Sequence, residues 1–230
     1  MAKVHIREEV AAARPAFHDR REAGVELSRF IGREERGNAL VLGLPRGGVP
    51  VGEGLAAALG APLEVVAVRK LPLPRSPEMG FGAVTIDGTF VLNEEVVRAF
   101  GLDRGTIDSV AEEVEEEVRR RAGEYGAAAG APEVEGREVY LVDDGLATGY
   151  TMLAAAKMVS GRSPASMSLA VPVSPRRSLD EVAPLFDEAF VLIVQDGGPF
   201  AVASFYERFG DLSDEEVREA LRRANEGRLR

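Results

Sequence analysis

Two rhythms of apolar positions run along the chain. A helical spacing places Phe17, Gly24, Leu27 and Ile31 on one face of a predicted helix over 17–32. Continuous apolar runs at 39–44 (ALVLGL) and 63–69 (LEVVAVR) flank a predicted helix near 49–59, which makes a strand–loop–helix–strand unit. Residues 71–80 (LPLPRSPEMG) hold three prolines and a glycine and are predicted to form a mobile loop. Short strands are expected at 81–86 and 89–92, after which Asn93 caps a helix. A longer helix is expected over 105–126, with Ile107, Val110, Val114 and Val118 as its buried stripe. Its other face offers Glu115 to Arg119, Glu116 to Arg120 and Glu117 to Arg121 at the i to i+4 spacing, the pattern of a solvated face.

The second half keeps the α/β alternation. Strands are expected at 138–142, 166–173 and 189–194, helices at 150–160 and 176–184, and a terminal helix from about Ser213. Fully apolar strands separated by helices predict an α/β fold, a mostly parallel twisted sheet with helices on both faces.

Composition narrows the chemistry. The chain of 230 residues has no Cys, which removes thiolate zinc sites, disulfides and a cysteine nucleophile together. His5 and His18 are the only imidazoles, too few for histidine metal sites or a Ser-His-Asp triad. A net charge of −10 disfavours nucleic acid, so any bound anion needs a local arrangement of amides and cations. The first residues, MAKVHIREEV, lack the apolar core of a signal peptide, and no run has the length of a membrane span. A cytoplasmic protein with no membrane partner is expected.

The stretch VYLVDDGLATGYTM (139–152) carries the most information. A buried strand delivers Asp143 and Asp144 to the crevice where open sheets bind ligands, and adjacent carboxylates suit the vicinal hydroxyls of a ribose. Ala147, Thr148, Gly149, Tyr150 and Thr151 then place unpaired backbone N–H groups at a helix N-terminus, where a phosphate monoester fits. Helix capping alone would explain one acid but not two. A phosphoacceptor receiver domain also shows an acidic pair, yet its acceptor Asp has no counterpart at Ser174-Pro175. Earlier in the chain, Arg46-Gly47-Gly48 combines a planar cation with close backbone approach, as an anion loop or a plain tight turn.

VYLVDDGLATGYT resembles the phosphoribosyl pyrophosphate (PRPP) motif of the type I phosphoribosyltransferases, and PRGG resembles their pyrophosphate loop. The resemblance implies a single domain over 1–230, with a small hood from about 195–230 joined by the N-terminal helix. It implies transfer of a 5-phosphoribosyl group from PRPP to a nitrogenous acceptor base, with Mg²⁺ as cofactor and Asp143 and Asp144 as its ligands. Arg69 and Lys70 become pyrophosphate ligands, although from sequence they equally suit exposed strand-end charges. The 71–80 loop becomes a closing lid, Glu78 a candidate base for the acceptor, and the peptide between Pro45 and Arg46 is expected to be cis. GPFAVASFYERFGDL resembles the purine branch, which puts Phe200 over the base, against a core-packing role for the aromatic cluster.

Ala147 and Pro172 stand where 6-oxopurine enzymes of the family carry Asp and Lys, so hypoxanthine and guanine are not expected substrates. A non-catalytic PRPP-binding regulator and a PRPP hydrolase are the alternatives, and the resemblance allows a homodimer.

Overall fold

The computed structural model describes residues 2–32, 37–125 and 132–226. The ends of the expected domain, residue 1 and residues 227–230, and the last residue of the helix expected over 105–126, lie outside them.

Nine strands among the described residues form two sheets. Six run parallel: β1 (Lys3–Val10), β2 (Ala39–Gly43), β3 (Leu63–Val65), β7 (Glu138–Val142), β8 (Ser166–Pro175) and β9 (Glu188–Gln195), lying side by side in the order β1-β9-β8-β7-β2-β3. The other three, β4 (Val68–Leu73), β5 (Ser76–Thr85) and β6 (Phe90–Leu92), form a small antiparallel sheet. Seven α-helices connect them among the described residues: α1 (Arg20–Ile31), α2 (Gly48–Leu59), α3 (Glu94–Ala99), α4 (Arg104–Glu124), α5 (Tyr150–Ser160), α6 (Arg176–Val182) and α7 (Asp214–Asn225).

The apolar strands feed two cores at once. Leu40 and Leu42 of β2, with Val139 and Leu141 of β7, join the core beneath α4, α5 and the small sheet. Ala39 and Val41, with Tyr140 and Val142, join the core beneath α1, α2 and α7. Alternate side chains leave opposite faces of a strand, so a strand covered on both sides reads as continuously apolar.

Several expectations change. The strand expected over 63–69 is two strands: the chain leaves the large sheet after Val65 and enters the small one at Val68, with Val66 still bonded to the Gly43 carbonyl at 3.1 Å. Residues 71–80 form no loop. They continue β4, turn at Pro74-Arg75 and return as β5. Pro72 is tolerated there because β4 is an edge strand and its register shifts on both sides of that residue. Phe17 is buried but precedes α1, whose N-cap is Asp19. The helix expected over 176–184 ends at Val182 and tightens into a 3₁₀ turn over Ala183–Leu185.

Strand β1 has no counterpart in the sequence reading. Its single neighbour in the sheet leaves all of its residues half-buried or exposed, which hides the apolar pattern.

Helices α1 and α2 touch backbone to backbone. A Cβ on Gly24 would lie 2.2 Å from the Val51 carbonyl oxygen, and one on Gly54 would lie 2.8 Å from the Gly24 carbonyl carbon. This approach brings the first turn of α1 to the end of β7.

Candidate active site

The carboxyl end of β7 is built from three chain segments. Leu44 donates to the Val142 carbonyl at 2.8 Å, and Gly48 in turn donates to the Leu44 carbonyl at 2.9 Å, which folds the loop 45–48 against β7. Glycine is required twice: a Cβ on Gly48 would lie 2.3 Å from the Val142 oxygen, and one on Gly47 would lie 2.0 Å from Asp144 Oδ2. The peptide between Pro45 and Arg46 is cis, as the family resemblance implied.

The two acids differ in surroundings. Asp143 accepts the backbone N–H of Asp144 at 2.8 Å, while burial, then the neighbouring carboxylate, pushes its carboxyl well above the ordinary range. Asp144 is raised by burial, against an opposing hydrogen bond and charge from Arg20, whose Nε donates to Oδ2 at 2.7 Å. The Tyr206 hydroxyl donates to the Asp144 carbonyl at 2.7 Å.

The following turn is anchored by groups other than its own amides. Leu146 donates to the Val173 carbonyl at 2.9 Å, and the Ser178 hydroxyl donates to the Ala147 carbonyl at 2.7 Å. Gly149 caps α5 with φ +81°, a left-handed conformation that glycine adopts without cost, and no side chain caps this helix. Among the described residues, the N–H groups of Ala147, Thr148, Gly149, Tyr150 and Thr151 have no protein acceptor. They form the exposed end of a helix dipole, a setting suited to an anion. Beside the turn lies a cleft of 760 Å³, whose walls include Ala147, Thr148, Tyr150, Arg177 and Gly197.

The structure therefore brings Gly47, Gly48, Asp143 and Asp144 together, and the 147–151 turn follows them directly in the chain, facing a cleft that none of those four lines. Arg46 is close enough to Asp214 for its charge to help lower that carboxyl, after the Tyr125 hydroxyl bond of 2.6 Å. Arg69 does not point a free guanidinium at the loop: it is paired with Glu117 of α4. Lys70 is exposed and donates to the Glu78 carbonyl at 2.6 Å, across the hairpin. Glu78 is likewise exposed on β5. Phe200 packs on Phe205 with ring centroids 5.4 Å apart, the contact expected of core packing.

The face of α4 is less purely solvated than its charges suggested. Glu115 pairs with Arg119 and Glu117 with Arg121, but Arg120 forms ion pairs with Glu124 and, at 3.8 Å, with Glu117 rather than with Glu116. Arg121, Arg69, Tyr125 and Pro45 line a cavity of 90 Å³ beside the cis peptide.

Sequence reasoning missed Arg20, and it grouped Tyr206 and Phe209 with Phe200 in one aromatic cluster without linking them to Asp144. One faint signal existed: Arg20 and Arg21 open a helix, where the dipole favours acids.

For Mg²⁺, the donor chemistry fits. Asp143 and Asp144 are hard oxygen donors, and Mg²⁺ commonly uses one or two carboxylates plus substrate oxygens. Among the described residues no group of three or more His, Asp or Glu could hold a metal without substrate. No helix among them is long and apolar enough to cross a membrane.

The phosphoribosyl transferase domain family matches residues 18–196. Rv0571c of Mycobacterium tuberculosis H37Rv, provisionally named a phosphoribosyl transferase, is 39% identical over 209 residues, 91% of this chain and 47% of that protein. The chain thus spans about half the length of the curated relatives it matches. The crystal structure of TT1426 from Thermus thermophilus is similar at 36% identity with a TM-score of 0.69, covering 90% of this chain and 97% of that one. A hypothetical protein from Neisseria gonorrhoeae, solved with bound ppGpp, shares the fold at 13% identity with a TM-score of 0.50, covering 91% and 97%.

Proposed function

The chain belongs to the phosphoribosyl transferase domain family, and on that premise we propose that it transfers 5-phosphoribosyl from PRPP to a nitrogenous acceptor, releasing pyrophosphate. One juxtaposition carries the proposal: a doublet of carboxylates at the end of β7, followed directly by a turn whose amides have no protein acceptor. A ribose 5-phosphate asks for both, acceptors for its hydroxyls and donors for its phosphate, on one molecule.

The 5-phosphate sits on the N–H groups of 147–151, the ribose hydroxyls bond Asp143 and Asp144, and the pyrophosphate faces Arg46, Gly47 and Gly48. A bond forms between an acceptor nitrogen and the anomeric carbon as the bond from that carbon to the pyrophosphate oxygen breaks. Positive charge grows on the sugar ring and negative charge on the leaving group. The carboxylates stabilise the first and Arg46 the second, with Lys70 adding charge from the hairpin when it leaves the Glu78 carbonyl, whereas Arg69 is neutralised by Glu117. Asp143 and Asp144 would hold Mg²⁺, which would supply further neutralising charge for the leaving group.

The strands of the hairpin are anchored in the core through Leu71, Phe81 and Val84, so a cover that excludes water would come from its tip, and Glu78 would reach the acceptor's departing proton only if that tip folds inward. Stacking of the half-exposed Phe200 on the acceptor belongs to the same proposal, as does a cytoplasmic place of action.

Mass spectrometry of products tests the reading. The protein with Mg²⁺, PRPP and a panel of purine, pyrimidine and pyridine bases is expected to yield one ribosyl monophosphate product with equimolar pyrophosphate, and none from hypoxanthine or guanine. Pyrophosphate release without any base identifies a hydrolase, and PRPP binding without turnover identifies a regulator. Absence of PRPP binding rejects the proposal.

A further inference from the structure

We propose that Arg20 is a positioning residue, which fixes Asp144 for the sugar and holds the segment 206–210 over the same strand end. The inference rests on the phosphoribosyl transfer proposed above.

The geometry is a closed circuit. Arg20 Nε donates to Asp144 Oδ2 at 2.7 Å, and its other nitrogen Nη1 donates to the Gly210 carbonyl at 3.0 Å. The Cζ of the same guanidinium lies over the Phe209 ring, 3.8 Å from its centroid. Phe209 packs on Tyr206 at 5.1 Å, and the Tyr206 hydroxyl returns to the Asp144 carbonyl at 2.7 Å. One residue of β7's end is thus gripped by its side chain and by its backbone, through partners 62 and 124 positions away in sequence.

Both charged side chains are mostly buried, at 11% and 14% exposure, so their pairing is little screened by solvent. The close contact of Gly24 with Val51 fixes α1, and with it the base of the Arg20 side chain. A planar fork is needed for this work. A lysine ammonium can meet Asp144 or Gly210 but offers no flat face to Phe209.

Arg20 touches no reacting atom in this account. Its effect reaches the sugar through Asp144, whose charge counts for most when the ring becomes cationic. Loss of Arg20 is therefore expected to lower kcat more than it raises the KM for PRPP.

A double-mutant cycle tests this. With Asp144 intact, Arg20→Met is expected to lower kcat roughly 10- to 100-fold. In an Asp144→Asn background the same substitution should cost less than about threefold, because the group it positions has already gone. Arg20→Lys keeps a cation beside Asp144 and should melt near the wild-type temperature, yet still show a fall in kcat that exceeds the change in KM. Equal losses from Arg20→Met in both backgrounds, or unchanged kcat in Arg20→Lys, overturn the inference and leave the transfer reaction standing. A wild-type protein that does not turn over PRPP overturns both.

Discussion

Replacing the doublet, Asp143→Asn with Asp144→Asn, is expected to weaken PRPP binding by roughly a hundredfold and to lower turnover by a further hundred- to thousandfold. The first loss comes from charge-assisted hydrogen bonds to the sugar hydroxyls. The second is larger because the opposing positive charge on the ring exists only in the transition state. Calorimetry and initial rates read the two separately.

Asp143 adds a pH signature. Burial and the adjacent carboxylate keep its proton on to a higher pH than usual, whereas sugar hydroxyls and a divalent cation favour the ionised form. Binding therefore expels a proton, and affinity should rise with pH until Asp143 is ionised in the free protein. The 5-phosphate has its own ionisation at about pH 6, which acts equally on wild type and on D143N. The difference between their pH profiles isolates the carboxyl. The sign for folding is the reverse of the usual salt-bridged acid: from the ordinary value of 3.8 up to its raised native value, the native state binds more protons than the unfolded one. Stability of the unliganded protein should fall as pH rises through that window, and less so in D143N.

The other large effect is expected at Gly47. An alanine there places its Cβ 2.0 Å from Asp144 Oδ2 and 2.4 Å from Cγ, and the loop cannot retreat because Gly48 is already seated on the Val142 carbonyl. Asp144 must swing out of its bond with Arg20, which leaves two mostly buried charges apart. Breaking such a pair costs roughly 3 kcal/mol, and the displaced carboxylate no longer meets the sugar. Gly47→Ala should therefore unfold at clearly lower denaturant and show at least a hundredfold loss in kcat/KM, as rough magnitudes. Gly123→Ala is the control. It lies within α4 with nothing within 4 Å of its Cβ position, and should gain about 0.5–1 kcal/mol.

The legible part of this protein is the part whose chemistry is contiguous. Asp143, Asp144 and the 147–151 turn share one strand-to-helix transition, so strand periodicity, carboxylates and helix-start amides could be placed together from sequence. The large sheet apart from its edge strand β1 was legible for a related reason, since strands such as β2 and β7 are apolar at nearly every position. The hairpin was not. Its prolines argue against strands in general but are harmless on an edge with a register shift. Arg20 was hidden by the 124 positions between it and Asp144, and Arg69 by its pairing with a helix face that reads as solvated. Among the aromatics near the C-terminus, sequence could not separate Phe200, which packs on Phe205, from Tyr206 and Phe209, which support Asp144 through its carbonyl and through Arg20.

The decisive measurement is a crystal structure of the protein with PRPP and Mg²⁺. The 5-phosphate oxygens are expected within hydrogen-bonding distance of the backbone nitrogens of Ala147 to Thr151, with both ribose hydroxyls on Asp143 and Asp144. A fully occupied ligand whose phosphate lies away from those nitrogens, or whose sugar leaves both carboxylates untouched, would contradict the proposal.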